Sequence, residues 1–134
     1  MARMPGVPFV TPRSYSTGRP LGPGRYITLH YTAGHEGPTA AEAGAAYDAR
    51  RTDGTSAHFH VDSDSIVQCV DTANRSHTAL YHGNAWGFHI EIAGTRQTRA
   101  QWLDAVSRPT IARCAYVCEW LMRTHSIPLT RLPT

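Results

Sequence analysis

What is scarce in this 134-residue chain narrows its class before any motif does. It has three cysteines, Cys69, Cys114 and Cys118, too few and too unevenly spaced for a disulfide framework. Cys114 and Cys118 lie one turn apart on a predicted helix and share a face, without forming a C-x-x-C redox motif. They read as small apolar packing groups in a protein folded under reducing conditions. No apolar run approaches the roughly 18 residues that cross a bilayer, which excludes a membrane-spanning helix. Met1-Ala2-Arg3-Met4-Pro5-Gly6 lacks the apolar segment of a secretory signal, so synthesis in the cytoplasm without a signal peptide is expected. Basic runs interleaved with aromatics are missing as well. Only Arg50 and Arg51 are adjacent, which argues against a nucleic-acid partner. There is no internal repeat and no low-complexity segment.

What remains suits one globular domain. Hydrophobic residues make up 41% and charged residues 17%, enough for a single core at this length. Arginines supply a net charge of +3 and a sequence pI near 9.0, favouring an anionic partner such as a cell-wall polymer. Residues 1–24, rich in Pro, Gly, Ser and Arg, predict an extended arm that wraps the domain rather than joining its core. Tyr26 to Tyr31 predicts a central strand. A helix follows from Thr39 to about Arg50, with Thr39 and Glu42 in capping-box spacing. Ser56 to Asp62 and Ser65 to Val70 predict a hairpin turning at Asp62-Ser63-Asp64. Asp71 to Asn84 reads as loop, and Trp86 to Ala93 as the next strand. From Thr98 the period is helical, with Pro109 forcing a kink or a fresh start capped by Ser107. The fold class is α/β, a mixed central β-sheet flanked by helices.

Three tracts carry chemistry. Tyr26-Ile27-Thr28-Leu29-His30-Tyr31-Thr32 delivers an imidazole to the end of an apolar strand, where a metal ligand or a base would be held rigidly. Taken alone, such a histidine more often serves packing. Ser56-Ala57-His58-Phe59-His60-Val61-Asp62 and His89-Ile90-Glu91-Ile92 follow it. In this order and spacing the tracts resemble the zinc-dependent N-acetylmuramoyl-L-alanine amidases of the type-2, peptidoglycan-recognition-like superfamily, over roughly Arg25 to Leu132. His30-Tyr31-Thr32 is similar to the family's His-x-Thr strand end, and Ser56 to Asp62 to its Ser-x-His hairpin, with an additional histidine at His60. Ser76-His77-Thr78-Ala79 and Asn84 stand where the family has a Trp-His-Ala-Gly-like loop and an asparagine. His89-Ile90-Glu91-Ile92 stands at its Gly-Ile-Glu strand.

The resemblance implies an amidase-like domain over residues 25–134, with peptidoglycan as substrate and zinc as cofactor. It implies hydrolysis of the amide between N-acetylmuramic acid and L-alanine. His30 would be a zinc ligand and Glu91 the general base, with His77 and Asn84 touching substrate. Zinc with an open fourth position lowers the pKa of bound water to about 7. Ala57 replaces the tyrosine of one branch of the family, which places more weight on Glu91. The family's remaining ligands follow the long C-terminal helix, so here they are expected beyond Thr134, in a chain that looks C-terminally truncated. Without a signal peptide the chain resembles a phage endolysin module, reaching the wall on release at host lysis. The alternative is a non-catalytic peptidoglycan-binding module of the same fold.

The other histidines divide by position. His58 and His60 should project from one strand face, a spacing that can chelate metal, but the further ligands of a cupin-type site are not in the sequence. His125 reads as a cation at a helix C-terminus. Trp86 could stack on a sugar or pack in the core. His35, His82 and His89 take no role, and His89 is expected on the face opposite Glu91.

Overall fold

Alternation decides the sheet. In Gly87-Phe88-His89-Ile90-Glu91-Ile92 the large apolar side chains fall to one side and the glycine, imidazole and carboxyl to the other. The computed structural model, which describes residues 2–132, forms this tract into strand β4 (Gly87–Ile92). Strand β1 (Tyr26–Tyr31) pairs parallel with one side of β4, and β2 (Phe59–Val61) pairs parallel with the other. β3 (Ile66–Gln68) returns antiparallel to β2, giving the order β1-β4-β2-β3. This is the mixed sheet with flanking helices that the sequence predicts.

Helix α1 (Ala40–Arg50) packs over β2 and β3. Helix α4 (Ser107–His125) crosses the opposite face, where Cys114, Val117 and Leu121 meet Phe59, Val61, Phe88 and Ile90 in the main core. The spacing of three and four along α4 puts those residues on one stripe. A smaller core under α1 joins Ala41 and Ala45 to Val67, Cys69 and Val70. Its Cys69 thiol is pushed up to about 12 by burial and, less, by nearby Asp48, as expected of a packing group.

Several local expectations give way to tertiary contacts. Thr39 sits at φ 74° and makes no side-chain cap, so the capping box is not formed. The α1 terminus is served instead by Asp62, whose Oδ2 accepts the Ala41 N–H at 2.8 Å. Its Oδ1 accepts from the backbone of Asp64 and Ser65, closing the hairpin turn. Burial alone would raise the Asp62 pKa, but these bonds outweigh it and hold the carboxyl below its usual range. The expected loop from Asp71 to Asn84 ends in helix α2 (Tyr81–Trp86), so Trp86 belongs to a helix and the strand starts at Gly87. After it come α3 (Arg99–Trp102), capped by Thr98 with Gln101, and a fresh start at α4. There Asp104, not Ser107, caps: its Oδ1 accepts from Val106 and Ser107 N–H. Pro109 falls in the first turn, where a missing N–H leaves no bond unmade.

The N-terminal arm does more than wrap. Val10 N–H donates to the Gln68 carbonyl and Gln68 N–H to that of Pro8, so the arm extends the β3 edge. Met4 enters the main core. Arg19 is half-buried, with its guanidinium 4.5 Å over the Phe88 ring and bonds to the carbonyls of Thr72 and Ala85. Burial, with Arg75 nearby, brings its pKa down to about 10. His125 stacks on Phe88 at 4.5 Å between centroids, and burial lowers its pKa, so it is a neutral packing group rather than the expected cation. Met1 and the last two residues of the domain expected over 25–134 lie outside the described residues. No described helix is long and apolar enough to cross a membrane.

Candidate active site

Parallel pairing builds a row of side chains. His30 is the register partner of Glu91, and Glu91 of His60. Partners on adjacent strands point to the same face at a spacing of about 4.8 Å, so the three project together, away from α4. The row lies near the carboxyl ends of three parallel-paired strands, where α/β sheets commonly hold ligands. The structure thus brings together the two residues on which the sequence reading rests.

Glu91 is half-buried, and its carboxyl makes no hydrogen bond among the described residues. Burial raises its pKa above the ordinary carboxylate value, against the opposing pull of His30 and His60. A carboxylate raised in this way and left without an internal donor is a stronger base than an exposed one.

His30 is anchored through one nitrogen. Its Nε2 lies 2.9 Å from His89 Nδ1, and His89 Nε2 lies 2.9 Å from the Gly83 carbonyl oxygen. His30 Nδ1 has no partner among the described residues and is not an enclosed orphan, so it is open to solvent. His89 is fully buried, and burial, with His30 and Arg19 adding to it, brings its pKa down to about 4 despite the Gly83 bond. The sequence expectation for His89 is wrong. Two residues before Glu91, it shares the Glu91 face, as the strand period requires.

His60 sits under α1, with Nε2 2.8 Å from Asp48 Oδ2. A Cβ at Gly44 would lie 2.5 Å from His60 Nδ1, so only glycine lets the helix pass this close. His58 has both nitrogens engaged: Nδ1 accepts the His89 backbone N–H at 3.2 Å, and Nε2 faces the Asn74 carbonyl at 3.1 Å. Burial dominates its pKa, which falls to about 3. The His58–His60 pair is therefore two separate buried anchors, not a chelate.

The substrate-contact candidates are placed less openly. His77 is half-buried beneath the arm, with Nε2 2.8 Å from Ser16 Oγ. Asn84, in α2, spends its oxygen on the N–H groups of Thr78 and Ala79 at 2.9 and 2.8 Å, leaving only its amide nitrogen for a ligand. Trp86 donates to the Leu21 carbonyl and lies between Arg25 and His82 contacts, so it belongs to the scaffold around the arm. Sequence reasoning missed Asp48, far from any motif, and undervalued His89. The H-x-E spacing of His89 and Glu91 was the signal available for the latter.

The sequence carries the same assignment on a broader scale. Residues 20–132 match the profile of the family described as N-acetylmuramoyl-L-alanine amidase. The chain belongs to that family. No curated protein matches it. Solved amidase-like structures share the fold of this family member. One is that of PlyL, at 19% identity and TM-score 0.72, covering 91% of this chain and 76% of that one. A mutant endolysin from Bacillus subtilis superposes with TM-score 0.69 at 24% identity, over 92% of this chain and 80% of its own. An AmpD derivative gives TM-score 0.68 at 20% identity, over 92% and 78%.

The implied zinc can be tested against the donors present. His30 Nδ1 has no partner among the described residues, as a ligand atom requires, but a catalytic zinc takes three protein ligands. Among the described residues, His30 has no two further donor atoms gathered with it; the one such cluster is Glu42, Asp62 and Asp64. Both Asp62 oxygens there are committed to backbone N–H groups. The described residues thus supply one zinc ligand and do not by themselves form the site. A cleft of about 760 Å³ runs along the other flank of β1, lined by Ile27, Leu29 and Met122, and neither His30 nor Glu91 lines it.

Proposed function

We propose that this amidase-family protein hydrolyses the amide bond between N-acetylmuramic acid and L-alanine in peptidoglycan, with Glu91 as general base. The observation that carries the reading is the raised, unpartnered carboxyl of Glu91 in register with His30. Water gives a proton to Glu91 as its oxygen adds to the lactyl carbonyl carbon. As the C–N bond breaks, Glu91 passes that proton to the departing alanyl nitrogen. The products are the muramic carboxylic acid and a peptide with a free L-alanyl amine.

The reading includes zinc dependence, with His30 as one ligand and the others outside the described residues. His77 and the free amide nitrogen of Asn84 are the candidate substrate contacts. The endolysin among the similar folds favours a protein made in the cytoplasm that reaches the wall at lysis. A second reading, a wall-binding module that does not cut, is favoured by the single ligand among the described residues.

Release of L-alanyl stem peptide from purified walls, measured with bound zinc per chain, separates the two. Glu91→Gln should lower turnover by about 10²–10⁴-fold, the usual contribution of a general base. Its stability at pH 7 should be unchanged or higher. A folded-state pKa that is raised means stability is lost as pH rises through it, and the amide removes that loss. Wild-type turnover in Glu91→Gln would reject the base assignment. His30→Ala should abolish hydrolysis and leave the fold intact.

A further inference from the structure

A carbonyl oxygen can only accept, so the 2.9 Å contact between Gly83 O and His89 Nε2 puts a proton on that nitrogen. A neutral His89 then offers Nδ1 as an acceptor, and the atom facing it at 2.9 Å is His30 Nε2. His30 must donate from Nε2, which leaves its lone pair on Nδ1, the nitrogen open to solvent. Space for the relay is built into the backbone. A Cβ at Gly87 would lie 2.5 Å from Gly83 O and 2.6 Å from His89 Nε2, so glycine there lets both partners close. His89 is fully buried, where an imidazolium would be a charge held away from water, so the neutral ring is the stable form.

We propose that His89 is a positioning residue: accepting the His30 Nε2 proton while donating its own to Gly83, it fixes the ring of His30 with an unprotonated Nδ1 facing solvent in the row of Glu91. A nitrogen held in that state is what a metal ligand or a base requires, and its orientation is set by the bond at the far nitrogen. The relay joins α2, through Gly83, to the end of β1. The inference rests on the reading of His30 as a site residue, but its primary test does not depend on turnover.

The test is nitrogen-15 NMR of the imidazoles in the full chain at pH 7. The expected result is His30 protonated at Nε2, His89 protonated at Nε2, and a scalar coupling across the bond between His30 Nε2 and His89 Nδ1. His89→Phe, which keeps the ring shape and removes the acceptor, should expose the His30 Nε2 proton to rapid exchange. His89→Asn, whose Oδ1 replaces Nδ1, should restore its protection. Wall hydrolysis should fall about 10–100-fold in His89→Phe and recover in part in His89→Asn, as for other residues that orient a ligand. A wild-type spectrum with the proton on His30 Nδ1 or on His89 Nδ1 overturns the proposal, even if the variants fail to fold. So do unchanged His30 signals in a folded His89→Phe. A wild-type chain that shows the relay and binds zinc but releases no stem peptide leaves the proposal standing and favours the wall-binding reading over the hydrolase.

Discussion

The two faces of the sheet use the same three parallel-paired strands and solve opposite problems. Toward α4, Phe59, Val61, Phe88, Ile90 and Ile92 form a surface that needs only to fill space. Toward α1, the alternating residues are His30, His58, His60, His89 and Glu91, and nearly all are wholly or partly enclosed. An apolar face tolerates any well-packed arrangement, whereas each enclosed imidazole must find a partner or lose free energy. His58 and His89 find theirs, in Asn74 and Gly83, whereas His60 pairs with Asp48 through Nε2 and leaves Nδ1 buried without a partner. Glu91 finds none. The polar face is therefore a set of anchored imidazoles around one half-buried carboxyl left without a bond, which is where reactivity is expected to concentrate.

That contrast can be broken from either side. Phe88→Ala, on the packed face, should cost about 3–5 kcal/mol, read from denaturant unfolding, and should also loosen the arm at Arg19 and the end of α4 at His125, both of which rest on this ring. A cost under about 1 kcal/mol would mean that the arm holds the face together without the ring. On the polar face, Gly44→Ala sets a methyl carbon against an imidazole that Asp48 holds in place. Overpacking of about 1–3 kcal/mol should exceed the gain of about 1 kcal/mol in helix propensity, so the variant should melt lower than wild type.

The pH response sharpens the same contrast. The folded-state pKa of His58, about 3, lies below its unfolded value of 6.5. Below pH 6.5 the unfolded chain therefore holds a proton that the folded chain refuses. Stability from this group is present above pH 6.5 and drains away as pH falls toward 3, by about 1.4 kcal/mol per pH unit. His58→Gln should lower proton uptake on acid unfolding by about one. An unchanged uptake would place the acid sensitivity elsewhere.

Much of the fold was legible because its strands alternate and its α4 stripe repeats at helical spacing. The tract from Ser56 to Val70 could be read as a hairpin because Asp62 and Ser65 sit where a turn needs side-chain acceptors and donors. Helix α2 was not legible. Its six residues include Gly83, and it is fixed by contacts made from elsewhere, through Asn84 to Thr78 and through Gly83 to His89. Of the two missed caps, Asp62 for α1 lies far along the chain, whereas Asp104 for α4 is a local cap three residues before the expected Ser107. Of the candidate site, the sequence offered His30 and Glu91 as residues on neighbouring strands, but not the groups that hold them.

By itself the sequence determined the strands, the apolar face and which imidazole and carboxyl to look at first, because periodicity and side-chain chemistry are local properties. Only the tertiary structure decided that His30, Glu91 and His60 stand in one row, and that Gly83 and Asp48 set the partners of the imidazoles. Register and hydrogen-bond pairing join residues far apart in the chain, and they are chosen by what the folded molecule must satisfy once water is excluded.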